Sequence, residues 1–508
     1  MRTSVWILGD QLTLSHPGLK AHGRARTVVV MIESLPRAGI HPWHKQKLVF
    51  VWSAMRHFAR ELEGLGYGVD YYEMQADLVS PIRTHLQKWQ PDRLLLMETA
   101  EYGRTASLRR VAASLGARVE IVANDMFLSD RDAFAGWAAD RKSLTMEPFY
   151  RDMRREMGLL MTKDGPVSGT WNLDAQNRQT PAAGVAFPAV PRYAPDAVTA
   201  SVIDEVTAHF PENIGSAECF AWPVTRSHAE EFLEDFLDKR LDCFGPYEDA
   251  MVAGERALCH SLLSPLLNVG LLEPLDICRR AVARYEEGAA RLNSVEGFVR
   301  QVIGWREFLY QVYHLKMPAY RESNALGADL PLPAFYWDGK TSMRCVGEAV
   351  KTVLAHGTNH HIQRLMVTGN FALIAGADPQ AVNAWYYLAY VDAYDWVVTP
   401  NVIGMALFAD GGIVATKPYA ASANYIHKMS DYCAGCGYDH RTAAESDSCP
   451  FNALYWDFLA RNEARLRAMA PRMNLMLAAL ARRPEVEMQA IRRRAAELRA
   501  QLQLGERL

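Results

Sequence analysis

Residues 27–74, TVVVMIESLPRAGIHPWHKQKLVFVWSAMRHFARELEGLGYGVDYYEM, place two β-branched apolar runs on either side of a long segment with helical spacing. The runs TVVVMI and GVDYYEM predict strands, and KLVFVWSAMRHFARELEGLG predicts a helix that ends in glycines. The alternation begins with SVWIL and continues through RLLLMET and RVEIV, with helical segments between them. This order predicts a parallel sheet covered by helices. The segment contains no GxGxxG turn, so a dinucleotide fingerprint is not supported.

The pattern of the sequence changes near residue 135. Residues 161–196 are rich in glycine, proline and asparagine, which indicates a linker or a functional loop. After residue 200 nearly every segment has an apolar period of 3.6 residues, which predicts an all-helical region. We therefore predict an α/β domain at 1–134, a connection at 135–200 and an all-helical domain at 201–508.

The composition excludes several classes of protein. Hydrophobic residues make up 49% of the 508 and the formal net charge is −3, which excludes wholesale disorder and a histone-like basic coat. No apolar run reaches membrane-spanning length, and the first residues lack the layout of a signal peptide. The eight cysteines begin only at Cys219, so a disulfide-held secreted protein is not expected. We expect a cytoplasmic monomer with no membrane partner.

Three cysteines form a C-x2-C-x12-C array in YCAGCGYDHRTAAESDSCP. Zinc and iron–sulfur sites both take four ligands, so one ligand is missing from the array. His440 lies within it, and Cys345 is the one other cysteine flanked by loop sequence. Spacing alone slightly favours zinc. The remaining cysteines are expected to be ordinary small apolar residues: Cys219, Cys243, Cys259 and Cys278.

Polar residues interrupt two apolar stretches of the helical region. Ser261 and Ser264 stand three apart around a predicted helix start, where hydroxyls and free backbone N–H groups can bind phosphate. Taken alone, a plain helix cap is the better interpretation of these serines. Trp305, Arg306 and Glu307 stand side by side in IGWREFLYQVY, which by itself indicates no more than satisfied polar groups in a core.

Two histidines and an arginine share the segment HHIQRLM. His360 and Arg364 are four residues apart on one face of a predicted helix, with His361 one residue round. Histidines buried on such a helix are more often hydrogen-bonded core residues than catalysts. The segment alone therefore assigns no function.

Taken together, these segments resemble the photolyase/cryptochrome family, in which S-x-x-S, W-R-E-F and a helical arginine occur in this order. The family's arginine has an aspartate partner 28 positions on, and Asp392 stands at that interval from Arg364. The segments HHIQRLM, PNVIGM, TKPYAASANYI, MSDYC and CPFNALYWDFLARN are similar, more closely, to the iron–sulfur bacterial cryptochromes and photolyases. These prokaryotic (6-4) photolyases are often described as deoxyribodipyrimidine photolyase-related proteins. The resemblance runs from ILGDQL to FLARN.

The resemblance implies the photolyase/cryptochrome architecture, with a Rossmann-like α/β domain that holds an antenna and an all-α domain that binds FAD. It implies light-driven repair of (6-4) pyrimidine photoproducts in UV-damaged DNA, in which reduced FAD donates an electron to the lesion. In this family four cysteines bind a [4Fe–4S] cluster, which fits all-thiolate ligation and overturns the zinc interpretation. The matching residues are Cys345, Cys433, Cys436 and Cys449.

The resemblance also implies how FAD is held. Ser261 and Ser264 would bind its phosphates, and Arg364 and Asp392 would pair near the isoalloxazine. Val398 falls where the family commonly has an acidic or amide side chain that faces flavin N5, and an apolar residue there puts photoreduction behaviour in doubt. The predicted FAD site comprises Ser261, Ser264, Trp305, Arg306, Arg364, Asp392 and Val398.

Two further groups of residues take their roles from the resemblance. His361 occupies the position thought to assist proton transfer to the lesion, which suits an imidazole, and His360 is its supporting candidate. Trp385, Tyr386 and Trp337 match the aromatic residues that carry electrons to the flavin. Without the resemblance, an aromatic stripe at helical spacing is interpreted as core.

The antenna implied by the family is 6,7-dimethyl-8-ribityllumazine. Asp10 and Glu33 lie at predicted strand ends, where open α/β sheets bind ligands, although solvated loop carboxylates are an equally good interpretation. Base flipping would bring the lesion to the flavin, and the 161–196 loop with Arg154 and Arg155 is a candidate DNA contact. Two alternatives stay open: a cryptochrome-type photoreceptor with a signalling output, and a DNA-binding iron–sulfur protein with a vestigial flavin pocket.

Overall fold

The parallel sheet predicted by the first part of the sequence is present. The structure, a computed structural model, describes residues 2–21, 23–141, 143–182 and 184–508. Five strands lie in the order β3-β2-β1-β4-β5, and every neighbouring pair is parallel. The predicted α/β class is confirmed. The strands are β1 Thr3–Trp6, β2 Thr27–Ser34, β3 Gly68–Gln75, β4 Arg93–Met97 and β5 Val119–Val122.

The order of the strands reverses at β1. The chain runs outward from β1 through β2 to β3 and then returns to place β4 on the other side of β1. Ligands of open sheets bind beside the carboxyl ends of the strands at such a reversal. The helices of this part are α1 Pro17–Lys20, α2 Leu35–Ala38, α3 Lys45–Gly64, α4 Val79–Trp89 and α5 Arg104–Ser114.

Helix α3 joins the sheet to the rest of the chain. Its side chains Phe50 and Phe58 are buried in the large hydrophobic core. At its first turn, the side-chain amide of Gln46 donates hydrogen bonds to the carbonyls of Ser216 (3.0 Å) and Ala355 (2.7 Å). The first turn of α3 is therefore anchored to a loop and to a helix that lie far along the chain.

The connection contains more regular structure than its composition suggested. A short antiparallel hairpin occupies part of the 161–196 segment, where the sequence predicted a loop. The segment is therefore a structured excursion with irregular flanks. The elements of the connection are α6 Arg131–Ala139, α7 Met146–Met157, β6 Met161–Thr162, β7 Gly165–Pro166 and α8 Ala197–His209.

The region after residue 200 is helical, as predicted. Three of its helices contain π-helical stretches, Arg300–Arg306, Gln363–Gly369 and Pro400–Ala406, and such widened turns are frequent at functional sites. The α-helices are α9 Arg226–Lys239, α10 Leu241–Phe244, α11 Ser264–Val269, α12 Pro274–Glu286, α13 Leu292–Val299, α14 Glu307–Lys316, α15 Phe335–Asp338, α16 Arg344–His356, α17 Asn370–Ala375, α18 Pro379–Ala389, α19 Asp395–Thr399, α20 Ala423–Met429, α21 Pro450–Arg461, α22 Glu463–Met469, α23 Asn474–Ala481 and α24 Glu485–Gln503.

The main hydrophobic core is continuous between the sheet and the helices. It takes in Val5 and Val29 of the sheet together with Phe371 and Phe458 of the helical part. A separate, smaller cluster packs around Trp6, because successive residues of a strand face opposite sides of the sheet. The boundaries at residues 134 and 200 stay a prediction.

One expectation about the cysteines was wrong. Cys243 at α10 and Cys259 form a disulfide, with their Cα atoms 5.7 Å apart, although the sequence placed both among ordinary apolar residues. The chain between them folds back on itself, and sequence spacing alone does not reveal that approach. Cys219 is exposed and Cys278 is buried, and both are free.

None of the helices in the described part of the chain is long and apolar enough to cross a membrane.

Candidate active site and metal centre

An ion pair between Arg364 and Asp392 forms the centre of the candidate site. Arg364 Nη1 lies 3.0 Å from Asp392 Oδ1. The hydroxyl of Ser264 donates to Oδ2 of the same carboxylate at 2.6 Å, and the side-chain amide of Asn268 donates to the Asp392 carbonyl at 2.9 Å. Burial opposes the charge on Arg364, but the Asp392 carboxylate outweighs it and raises the arginine pKa. The helix start at Ser264 is thereby tied to the segment that follows α18.

The loop before α11 has an unusual backbone. Leu258 and Leu262 adopt positive φ angles of 45° and 58°, a region that residues with a Cβ rarely occupy. Cys259, between them, is held by the disulfide. Ser261 Oγ accepts a hydrogen bond from the Leu263 N–H at 3.4 Å, so this serine shapes the same loop.

The two neighbouring histidines have different surroundings. His360 is 2% exposed, its ring stacks on His260 with centroids 4.7 Å apart, and neither ring nitrogen has a hydrogen-bond partner among the described residues. A buried polar atom without a partner is costly, so a ligand that supplies one is expected here. His260 is a site residue that the sequence reasoning missed.

His361 is an exposed residue, although many protein atoms surround its imidazole. The surrounding protein and the nearby Arg364 guanidinium lower its pKa to about 4. The ring is therefore neutral at pH 7, with one N–H donor and one acceptor nitrogen. Anions brought close to it, such as DNA phosphates, would raise that pKa.

Aromatic rings lead from the ion pair to the surface. The hydroxyl of Tyr386 donates to the Arg364 carbonyl at 2.6 Å, and the Tyr386 ring lies 5.1 Å from the fully buried Trp385. Trp385 is in turn 5.1 Å from Tyr336, whose neighbour Trp337 is 46% exposed. The structure thus adds Tyr336 to the three predicted aromatic residues, a link that no local spacing in the sequence indicates.

The W-R-E segment makes contacts of its own. Arg306 is buried, pairs with Glu307 at 2.6 Å and lies 4.3 Å from the centre of the Phe127 ring. The Glu307 carboxylate accepts hydrogen bonds from the backbone N–H groups of residues 128 and 129. These contacts hold the last part of the predicted α/β domain against α14, and a part for Arg306 or Trp305 in cofactor binding stays a prediction. Val398 is buried in α19.

Four free thiols meet at a second centre. Cys345 lies in the first turn of α16, Cys433 and Cys436 flank a short turn, and Cys449 precedes α21. All four line one cavity, together with Tyr432. Burial, with the neighbouring sulfurs, raises the pKa of Cys345 well above its usual value, that of Cys449 to about 12 and that of Cys433 to about 11. A cation that neutralises the thiolates would remove this penalty.

The sulfurs are spread more widely than donors around one ion. Among the described residues, no three of these sulfurs lie within 4.8 Å of one another, whereas donor atoms of His427, Cys433 and His440 do. The two imidazole rings of that trio stack 3.9 Å apart. His440 was a candidate ligand from the sequence, and His427 was missed because it lies in α20, outside the cysteine array.

A cluster of charges lies at the reversal of the sheet. Asp10 follows β1, and burial raises its pKa against the opposing effect of Arg104. Arg37 pairs with Glu101 at 2.8 Å in the same cluster. Asp10 is thus a partly desolvated carboxyl at the edge where open sheets bind ligands.

Glu33 is not the solvated loop carboxylate that the sequence allowed. Its side chain has no exposed surface and pairs with Arg56 at 2.7 Å. It also accepts hydrogen bonds from the Tyr71 hydroxyl (2.5 Å) and the Met74 N–H (3.1 Å). Strand β2 carries the carboxylate into the interior, where these donors fill its acceptor sites.

The two arginines predicted to contact DNA, Arg154 and Arg155, have different surroundings. Arg154 is 1% exposed and donates to the carbonyls of Leu160 (2.7 Å) and Trp171 (3.0 Å), so it cannot reach a phosphate. The guanidinium of Arg155 lies 4.7 Å from the centre of the Trp171 ring, and its side chain is 55% exposed. Arg155 and Lys163 line the same surface cavity beside the hairpin.

Known proteins share both the sequence and the fold. Residues 5–222 match the model of a family described as "Deoxyribodipyrimidine photo-lyase-related protein". The "(6-4) photolyase" of Agrobacterium fabrum is 47% identical over 473 residues, which is 92% of this chain and 93% of that protein. An uncharacterized protein of Acanthamoeba polyphaga mimivirus is 48% identical over 66 residues, 13% of this chain and 54% of its own length.

A solved structure has the same fold. The crystal structure of a bacterial class III photolyase from Agrobacterium tumefaciens superposes with a TM-score of 0.61, covering 98% of this chain and 97% of that one at 16% identity. At that identity the likeness concerns the fold.

Proposed function

Because the chain belongs to the family of deoxyribodipyrimidine photo-lyase-related proteins and is 47% identical to the Agrobacterium (6-4) photolyase, we propose that this chain is a (6-4) DNA photolyase. It repairs UV-damaged DNA in the light by passing an electron to the (6-4) pyrimidine lesion. One observation carries this conclusion beside the relationship itself. The exposed imidazole of His361 lies close to Arg364 of the Arg364–Asp392 pair, and a ladder of aromatic rings ends at the same pair.

The residues present fit FAD. The ring nitrogens of the buried His360 have no partner among the described residues and are free to hydrogen-bond a bound group, and the Arg364–Asp392 pair offers it both a positive and a negative charge. We assign Ser261 and Ser264 to the cofactor's phosphates. Bound and reduced, FAD supplies the electron for the lesion. The chain's own residues hold the cofactor, exclude water around it and, at His361, hold or pass a proton.

The thiol centre fits a [4Fe–4S] cluster better than a single zinc ion. A tetrahedral zinc site with Zn–S bonds of about 2.3 Å brings its sulfurs within about 4 Å of one another. The four sulfurs here lie around one cavity but are more widely spread than that. A larger polynuclear group, with one iron for each thiolate, matches this spread.

We propose that a lumazine antenna binds beside Asp10. The Asp10 carboxyl has a raised pKa at the edge of the sheet where ligands bind, beside Arg104. Glu33 is left out of this site, because Arg56, Tyr71 and Met74 already occupy its carboxylate.

For the DNA we propose the hairpin face of the connection. Arg155 and Lys163 line a surface cavity there with Trp171, and such a face offers phosphate contacts together with a flat aromatic surface. The lesion would leave the duplex to reach His361.

Light-dependent repair of an oligonucleotide with one (6-4) photoproduct tests the proposal. We expect the lesion to disappear only under blue light and with reduced FAD bound. A protein that binds FAD and photoreduces but leaves the lesion intact would be a photoreceptor of the cryptochrome type. A protein without bound FAD would support the vestigial pocket instead.

We predict that Trp385→Phe blocks photoreduction and leaves FAD bound. Phenylalanine keeps most of the packing against Tyr336 and Tyr386 but is much harder to oxidise. The absorption of bound flavin, followed during illumination with an external reductant present, measures the effect. Tyr320→Phe, a buried ring that pairs with Asp410 rather than with the ladder, is the matched control and should photoreduce normally. Unchanged photoreduction in Trp385→Phe would remove that residue from the path.

A further inference from the structure

A second set of aromatic rings lies beside Asp392, one of the residues assigned to the flavin, on the side of the parallel sheet. Trp43, Tyr387 and Tyr394 surround the side chain of Lys47, and the Lys47 nitrogen is 4.3, 4.9 and 5.2 Å from the centres of their rings. The rings of Trp43 and Tyr387 lie 4.7 Å apart. We call these four residues the lysine box.

The lysine box adjoins the Arg364–Asp392 pair. The ammonium of Lys47 donates a hydrogen bond to the carbonyl of Ala393, the residue after Asp392, and the Asp392 carboxylate acts on the lysine through space. Helix α3 delivers Lys47 to this place, since its first turn is anchored in the helical part by Gln46. Two groups of oxidisable rings therefore lie beside the Arg364–Asp392 pair, which we assign to the flavin. They are the ladder that contains Trp385 and the lysine box.

A cation distinguishes the two groups. Lys47 is 7% exposed and, among the described residues, forms no ion pair with a carboxylate. Rings and backbone carbonyls contact its ammonium, and the carboxylates of Glu101 and Asp392 act on it from farther away. Arg37 adds a second cation 5.8 Å from the Trp43 ring. In the described part of the chain no lysine or arginine lies over the rings of Trp385 and Tyr336. The cation beside that ladder is Arg364, which lies 4.1 Å from the centre of the Tyr390 ring and, unlike Lys47, is paired with a carboxylate, that of Asp392. Burying an unpaired ammonium is costly, and a purely apolar side chain would pack there at lower cost.

We propose that Lys47 confines flavin photoreduction to the Trp385 ladder by making the rings of the lysine box hard to oxidise. In photoreduction one electron leaves an aromatic ring for the photoexcited flavin, and the ring is left with one positive charge, which a tyrosine sheds as its hydroxyl proton. An ammonium at 4.3 Å disfavours that charge by a factor of ~10 or more. Lys47 acts through the rings as a positioning residue. This inference rests on the proposed function.

The ladder must be blocked for the test, so that the lysine box alone can supply electrons. In the Trp385→Phe protein at pH 6, below the pKa of about 7 to which burial lowers Lys47, the ammonium is charged. We expect Lys47→Met in that background to restore photoreduction at least severalfold, and Lys47→Arg, which keeps the charge, to restore none. Adding Trp43→Phe to the Met variant should remove the gain. A purely structural role for Lys47 would lower the melting temperature without producing this pattern.

Two results would overturn the inference. One is a Lys47→Met Trp385→Phe protein that photoreduces no faster than Trp385→Phe alone. The other is a Trp385→Phe protein that already photoreduces at the normal rate and loses that rate when Trp43→Phe is added. Failure of the proposed function is seen separately, because it shows in the unmodified protein as absent FAD, absent photoreduction or absent repair.

Discussion

Cys345→Ala is expected to empty the metal centre of iron, while His440→Ala leaves it full. Cys345 is buried and lines the thiol cavity with Cys433, Cys436 and Cys449, so its loss removes one of four iron ligands. Iron should fall from about four atoms per chain to nearly none, and the brown absorption should go with it. Because a metal centre is coupled to the fold around it, the melting temperature should fall by several degrees as well.

Comparison of Cys345→Ala with His440→Ala distinguishes a four-cysteine iron–sulfur centre from a zinc site that contains His440. The compact donor group of His427, Cys433 and His440 does not include Cys345. A zinc ion held there would survive Cys345→Ala and be lost in His440→Ala, which is the reverse of the expected result. Cys278→Ala controls for the loss of a buried free cysteine away from the centre. Anaerobic purification with metal analysis of all three variants decides between the two centres.

The pattern of apolar residues predicted the elements of the fold, because burial imposes a characteristic pattern on each kind of element. Strand β2 needed only its run of valines, and α3 its long apolar stripe. The fates of Glu33 and Arg154 could not be predicted in this way. Each is polar, yet each is held by a partner, Arg56 for Glu33 and Trp171 for Arg154, that lies more than fifteen residues away along the chain.

The residues missed at the candidate site share one property. His260 meets His360, and Tyr336 meets Trp385, across separations of 100 and 49 residues. No local period marks such meetings, since they are made by helices that pack together after they form. The family motifs predicted Arg364, Asp392 and the cysteines, because each of those positions belongs to a family pattern that spans several segments.

His361→Ala is expected to abolish (6-4) repair while both FAD binding and photoreduction persist. The side chain is exposed and makes no hydrogen bond among the described residues, whereas its neighbour His360 is buried against His260. Removal of a residue that transfers a proton costs ~10²–10⁴-fold in rate, and more where protonation competes with a short-lived radical. The Arg364–Asp392 pair and the Trp385 ladder do not depend on His361, so flavin content and photoreduction should stay near normal.

His360→Ala is the matched comparison, one residue away and immediately before the helix that begins at His361. Its ring fills a buried space beside His260, so we expect a lower melting temperature and less bound FAD, with the repair per bound flavin less affected than in His361→Ala. Repair yield per bound flavin and thermal melting should be measured on the same preparation of each variant. A His361→Ala protein with a lowered melting point and a near-normal repair yield would show that this histidine supports the fold. Another group near the lesion would then have to supply the proton, and His361 would no longer be counted as a catalytic residue.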